Sequence, residues 1–268
     1  MAGRYMEFPI LDLSYSEFLQ FNEINDSNEN LNLYLTIGGM PYLHHIGLEA
    51  TIVFEYLKNL YASILLKDVV SREGIRNVPL LQNLVIYLAD NTGSIFSALN
   101  ISQYLKSQRI NIPTQTAINY LKALTNAYFV HKVSRADFNG LKIFEIGEKF
   151  YFEDLGLRNC IRSFNYRTDI GKLMENVVYL HLLRNAYRVY VGKSGDQEID
   201  FIAEKNGEKL YMQVSYLLTD EKTVEREFGN LAKIADNYPK YVVTMDEFQP
   251  KNTFKGTRQI HLREFLSV

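Results

Sequence analysis

The stretch GKSGDQEIDFIAEKNGEKLYMQVSY, Gly192 to Tyr216, decides how this chain is read. It divides into two strands joined by a short turn. The first carries Asp200 among apolar neighbours, and the second carries Gln213 and Ser215 at alternate positions, so both fall on one strand face. Upstream, GKLMENVVYLHLLRNA reads as a helix beginning near Asp169; Leu173, Val177, Leu180 and Arg184 set its phase and Glu175 lies within it. The strand YRVYVGK comes between. Downstream come a helix (TDEKTVEREFGNLAKIA), a strand (KYVVTM) and a late strand near RQIHL. The order α-β-β-β-α-β predicts an α/β unit with a mixed central sheet.

These residue types, in this order, resemble the restriction-endonuclease-like superfamily. Its site combines a helix Glu, a strand Asp, and a Glu or Gln two residues before a Lys. Glu175, Asp200 and Gln213 match the first three, and Ser215 stands where the lysine belongs. The resemblance implies a magnesium site on Glu175, Asp200 and Gln213, because Mg²⁺ is a hard cation that favours oxygen ligands and makes hydroxide beside a scissile phosphate. Gln213 brings a neutral carbonyl in place of a carboxylate, and Ser215 brings no charge. Two of the four positions are weakened or lost. Lys209 lies about 13 Å along its strand from Gln213, so Lys193 is the better candidate for a displaced lysine.

The middle of the chain reads as a winged helix-turn-helix. NVPLLQNLVIYLADNTG, NISQYLKSQ and PTQTAINYLKALTNA form three helices, the last with Thr114 as its expected cap. YFVHKVSR and LKIFEIG then alternate on either side of Asn139-Gly140, a hairpin signal. On the third helix Gln115, Asn119, Lys122 and Asn126 share one face, where Gln and Asn suit base edges and Lys suits phosphate. Lys132, Arg135 and Lys142 on the wing add backbone contacts. With one cation on the helix face, a protein-binding winged helix fits equally well.

The first third is helical. Ser14 and Glu17 form a capping box before FLQF, Gly38, Gly39 and Pro41 break a second helix, and Val53, Leu57, Leu60 and Ile64 make a core stripe on a long third one. Lys and Arg number 4 against 10 Asp and Glu over residues 1–73, 8 against 6 over 74–157, and 17 against 15 over 158–268. A polyanion would therefore prefer the later two thirds. A length of 268 residues suits several compact units. The single cysteine, Cys160, excludes an intrachain disulfide and reads as a plain thiol, and the adjacent His44 and His45 do not suit one metal. No apolar run reaches bilayer length and the N-terminus lacks secretory character, so a cytoplasmic protein without membrane contact is expected.

GRYMEFPILDLSYSEFLQF, GGMP, LLKDVV and EKFYFEDLGLRN, in that order, are similar to the C-terminal regions of a prokaryotic AAA+ ATPase family, and the resemblance spans nearly the whole chain. It implies that a nucleotide-binding core precedes the GRY segment, that Arg4 there faces nucleotide when the core is present, and that a nuclease motif without lysine is usual. No G-x-x-x-x-G-K-[ST] occurs, so ATP hydrolysis would require a separate P-loop core. The expected architecture is a multidomain α/β protein. Residues 1–73 form a helical remnant or lid after the core, 74–157 the winged helix-turn-helix, and 158–268 the restriction-endonuclease-like domain with a mixed sheet. The expected function is a non-catalytic C-terminal module of an AAA+ ATPase that binds DNA or a protein, the ATPase core included. The alternatives are a magnesium-dependent nuclease with a displaced lysine and a pure interaction or oligomerisation module.

Overall fold

The computed structural model describes residues 10–110, 113–137, 143, 147–194, 197–247, 253–254 and 256–267. Helix α1 (Tyr15–Phe21) starts at a closed capping box. The Ser14 hydroxyl accepts from the Glu17 N–H at 3.2 Å, and Glu17 Oε2 accepts from the Ser14 N–H at 2.7 Å. Helices α2 (Asn28–Ile37) and α3 (Leu43–Ile46) flank the Gly38-Gly39 break. Helix α4 (Ala50–Ile64) runs on into π-helical turns over Leu65–Ser71. Val53 and Leu57 are fully buried, and Leu60 and Ile64 pack partly against the same core, so the predicted stripe is structural.

Helices α5 (Val78–Asp90), α6 (Ala98–Ser107) and α7 (Thr114–Asn126) follow. Asn77 and Ser97 cap the first two by accepting from the Leu80 and Asn100 N–H groups. The third differs from expectation: Thr114 is the first helical residue and Pro113 the cap, with no side-chain bond. Proline's fixed φ supplies the extended entry that a polar cap would otherwise hold. Strands β1 (Val130–Val133), β2 (Arg135–Asp137) and β3 (Lys149–Phe152) come next. β1 pairs antiparallel with β3, Val130 opposite Phe152 and Val133 opposite Lys149. Ile143 bridges Ala136 in antiparallel fashion, while the Asn139-Gly140 turn lies outside the described residues.

Helix α8 (Leu155–Ile161) and the long α9 (Tyr166–Arg184) lead into β4 (Arg188–Ser194), β5 (Gln197–Lys205), β6 (Glu208–Val214), α10 (Glu221–Ala232), β7 (Lys240–Thr244), β8 (Thr253–Phe254), β9 (Thr257–His261) and α11 (Leu262–Leu266). α9 begins at Tyr166, capped by Asn165, earlier than the expected start near Asp169. A mixed sheet runs β2-β4-β5-β6-β7-β9-β8. β2 pairs parallel with β4, so a strand from the middle of the chain forms one edge of the C-terminal sheet. Phe201, Ala203, Met212 and Val243 face α9 in the main core; Ile199, Ile202, Tyr211 and Val242 face Phe228 and Leu231 of α10. The sheet is thus covered on both faces. Among the described residues no helix is long and apolar enough to cross a membrane.

Helix α8 ties the layers together through polar groups. Asp154 caps it, accepting from the Leu157 N–H, and its other oxygen accepts from the Gly39 N–H, both at 2.7 Å. Gly38 at φ +81° and Gly156 allow this approach: a Cβ on Gly156 would lie 2.0 Å from the Ile37 carbonyl oxygen. Asn159 donates to the Leu35 and Thr36 carbonyls at the end of α2, and the fully buried Arg158 donates to the Ala89 carbonyl and to Asp169. GGMP and EDLGLRN, read separately in the sequence, meet here.

Candidate functional site

A β-bulge aims the site. Tyr190 on β4 stands opposite Ile202 on β5 and Gly192 opposite Ile199, so Asp200 and Phe201 share one partner position across the pair. The extra residue switches which face follows: Ile199 and Ile202 both face α10, while Phe201 faces α9. Asp200 turns toward α9 as well, where its Oδ1 comes within 3.4 Å of Lys149 Nζ. Its other oxygen accepts from the Val214 N–H at 2.8 Å, fixing the carboxylate against β6.

Glu175, two turns into α9, meets Asp200 across a lysine. Lys149 Nζ donates to Glu175 Oε1 at 2.8 Å and lies 3.6 Å from Glu198 Oε1. The Tyr151 hydroxyl donates to the same Glu175 oxygen at 2.5 Å. Gly93, in the turn after α5, lies against the Glu175 carboxylate, since a Cβ there would stand 3.1 Å from Oε2. Burial pushes Glu175 up to about 7, with Lys149 pulling it down and Asp200 pushing it up. Burial alone would lower Lys149; the surrounding carboxylates outweigh it and hold the ammonium above its ordinary value.

Of the predicted catalytic positions, Glu175 and Asp200 come together. Gln213 is adjacent but turned to another task, its Oε1 accepting from the Asp200 N–H at 3.3 Å. Ser215 follows β6 and donates its backbone N–H to the Val243 carbonyl. The lysine beside Asp200 is Lys149, not Lys193, which sits on β4 opposite Glu198. Lys149, Tyr151 and Glu198 had escaped sequence reading. Lys149 and Tyr151 lie in KFYF, which is buried at all four positions and so shows no alternation, while Glu198 lies two residues before Asp200 in the strand already read.

The resemblance implies magnesium, and the donor set tests it. Mg²⁺ takes oxygens at about 2.0–2.1 Å in a near-octahedral shell. Around the point where Glu175, Glu198 and Asp200 converge, the oxygens stand 2.8, 3.6 and 3.4 Å from an ammonium nitrogen. Glu175 Oε1 also accepts from Tyr151, Asp200 Oδ2 from the Val214 N–H, and the Gln213 carbonyl is engaged, so the ammonium occupies the point on which a metal would have to sit. Among the described residues no group of three or more His, Cys, Asp or Glu is placed to hold a metal ion. The residues do not fit the metal.

The α7 surface is less open to base reading than its sequence. Gln115 Nε2 donates to Asn119 Oδ1 at 3.0 Å, and Asn126 Nδ2 donates to Glu73 at 3.2 Å. Lys132 pairs with Glu148 at 3.1 Å. Beside this face Leu99, Ile118, Leu121, Lys122, Phe96 and Phe150 help line a groove of about 580 Å³, with Leu99 and Ile118 exposed. Arg135 lies on β2 opposite Val191. Lys142 and Arg4 lie outside the described residues. Burial pushes the Cys160 thiol up to about 12, which keeps it protonated.

A family model described as "Domain of unknown function (DUF8612)" matches residues 28–168, more than half of the chain. The chain belongs to the DUF8612 family. A second model, "Domain of unknown function (DUF4143)", matches residues 170–265, so the two regions of this DUF8612 chain meet within the first turns of α9. An uncharacterized protein of Haemophilus influenzae is 30% identical over 273 residues, covering 99% of this chain and 66% of the relative. The uncharacterized protein MJ1544 of Methanocaldococcus jannaschii is 30% identical over 245 residues, covering 85% and 53% respectively. The chain thus spans just under two thirds and about half the length of these relatives. No solved structure matches it.

Proposed function

We propose that this chain is a non-catalytic module of an AAA+ ATPase that acts by binding nucleic acid or a protein through a winged helix, with a degenerate restriction-endonuclease-like domain beside it. One observation carries the non-catalytic reading: the ammonium of Lys149 lies among the carboxylates on which magnesium would depend. Supporting the fold reading are the three helices α5–α7 followed by the β1–β3 pair, and a helix Glu, a strand Asp and a strand Gln in nuclease order. The AAA+ assignment rests on the motif order from the N-terminus to EDLGLRN. The apolar groove and the bonded polar groups on α7 weigh toward a protein partner.

A second reading draws on the same lysine. Lys149 lies 3.4 Å from Asp200, close enough to be the displaced lysine of a metal-dependent nuclease. Fluorescent duplex, single-stranded and branched DNA, titrated across a salt series with Mg²⁺ and a parallel cleavage gel, separates the readings. Salt-dependent retention without products, or no retention at all, fits the non-catalytic module; the salt slope counts the phosphates engaged. Products that disappear in EDTA and in Asp200→Ala would sink it.

A further inference from the structure

We infer that the carboxylate cluster is a lock between the two matched regions of the chain: Glu175, Glu198 and Asp200 form a socket of ammonium size, and Lys149 fills it as a built-in cation. The inference rests on the non-catalytic reading of the same site.

The two partners come from different regions. Lys149 lies on β3 within residues 28–168, while Glu175, Glu198 and Asp200 all lie within 170–265. The spacing suits the occupant. At 2.8, 3.4 and 3.6 Å the ammonium makes one good hydrogen bond and two longer ion pairs with the three carboxylates. The lysine side chain is only 4% exposed, so its ammonium faces these carboxylates rather than solvent.

Neighbouring bonds make the same join. The side chain of Asn176, fully buried on α9, accepts from the Phe152 N–H and donates to the Phe152 carbonyl, each at 2.9 Å. Tyr151, between Phe152 and the lysine's strand neighbour, bonds Glu175. Three residues of one short strand are therefore held by two consecutive residues of α9 together with β5. A buried charge stripped of its partner is costly, so neither half of the lock tolerates loss of the other.

A mutant cycle on the intact chain tests this, read by urea unfolding of Lys149→Met, of Glu175→Gln with Asp200→Asn, and of all three changes together. Lys149→Met should lower the urea midpoint sharply, and the triple variant should regain more than half of that loss, because the two more deeply buried carboxylates are then neutral and only the part-exposed Glu198 is left without the ammonium. Additive losses would overturn the lock. Should Lys149→Met fail to fold, the triple variant decides alone: a cooperative transition supports the lock, and a chain that still fails to fold overturns it. Wild-type midpoints in Mg²⁺, Mn²⁺ and EDTA should coincide, and a divalent-dependent rise would show a metal socket instead. DNA cleavage by the wild type would sink the non-catalytic reading separately, whatever the cycle gives.

Discussion

Lys149 Nζ stands 2.8 Å from Glu175 Oε1 and shares that oxygen with the Tyr151 hydroxyl. Glu198 and Asp200 close the same site, so one ammonium faces three carboxyl groups. If all three ionised, two negative charges would remain uncompensated at a site where only Glu198 is substantially open to water. A proton held on Glu175 relieves that excess.

The pH dependence of stability follows from this arrangement. Glu175 is raised from its ordinary 4.5 to about 7, first by burial and then by Asp200, against the pull of Lys149. An acid with a raised folded pKa binds its proton more tightly in the folded state. Its stabilising contribution is therefore complete below 4.5 and is lost as the pH rises through about 7. Glu175→Gln should flatten the fall in unfolding free energy across that window. Urea titrations at about pH 5 and about pH 8 check it; a variant profile parallel to the wild type would remove Glu175 as the titrating group.

Legibility in the sequence followed burial. The Ser14–Glu17 box and the Val53 and Leu57 stripe were readable because a half-buried helix carries a clear period. Asp200 stood out as a carboxylate among apolar strand residues, and Glu175 was reached through the nuclease resemblance. β3 was not legible, since a strand buried on both faces has no alternation to display. No periodicity therefore marks Lys149 as buried. Neither the switch of face at Asp200 nor the meeting of Gly39 with Asp154 leaves a local trace, because each depends on a residue far along the chain.

Gly192 should resist substitution. It faces the bulge, and a Cβ there would lie 2.3 Å from Ile199 Cγ1 and 3.0 Å from Ile202 Cγ1. Gly192→Ala should cost about 1–3 kcal/mol through overpacking. The strain would also fall on the bulge that aims Asp200. Chemical denaturation measures the first effect; an unchanged midpoint would mean that the strand pair relaxes freely around the added methyl.

The α2–α8 joint should be equally sensitive from either side. Gly38 ends α2 at φ +81°, and a Cβ there would lie 2.2 Å from Asp154 Oδ2. Gly38→Ala should cost about 2–4 kcal/mol, combining left-handed strain with the clash. Asp154→Ala removes the α8 cap and leaves the Gly39 N–H buried without its acceptor, about 2–4 kcal/mol together. Because both changes break one contact, the double variant should lose less than the two single losses added. Additive losses in urea would place Gly38 and Asp154 in separate roles.

The polar face of α7 yields the last prediction. Gln115 and Asn119 hydrogen-bond each other, so each offers a base edge only the groups that this bond leaves over and neither is free for bidentate reading. Lys122 borders the adjacent groove. Any DNA retention should therefore rest on phosphate contacts, which carry no sequence information. Replacing Gln115 and Asn119 with Ala should leave affinity the same on every duplex tried. Lys122→Glu should weaken all duplexes alike and reduce the salt slope by about one if that lysine meets a phosphate. A sequence preference that vanishes with the Gln115 and Asn119 changes would show the pair opening to read bases, and α7 would then be a recognition helix in the full sense.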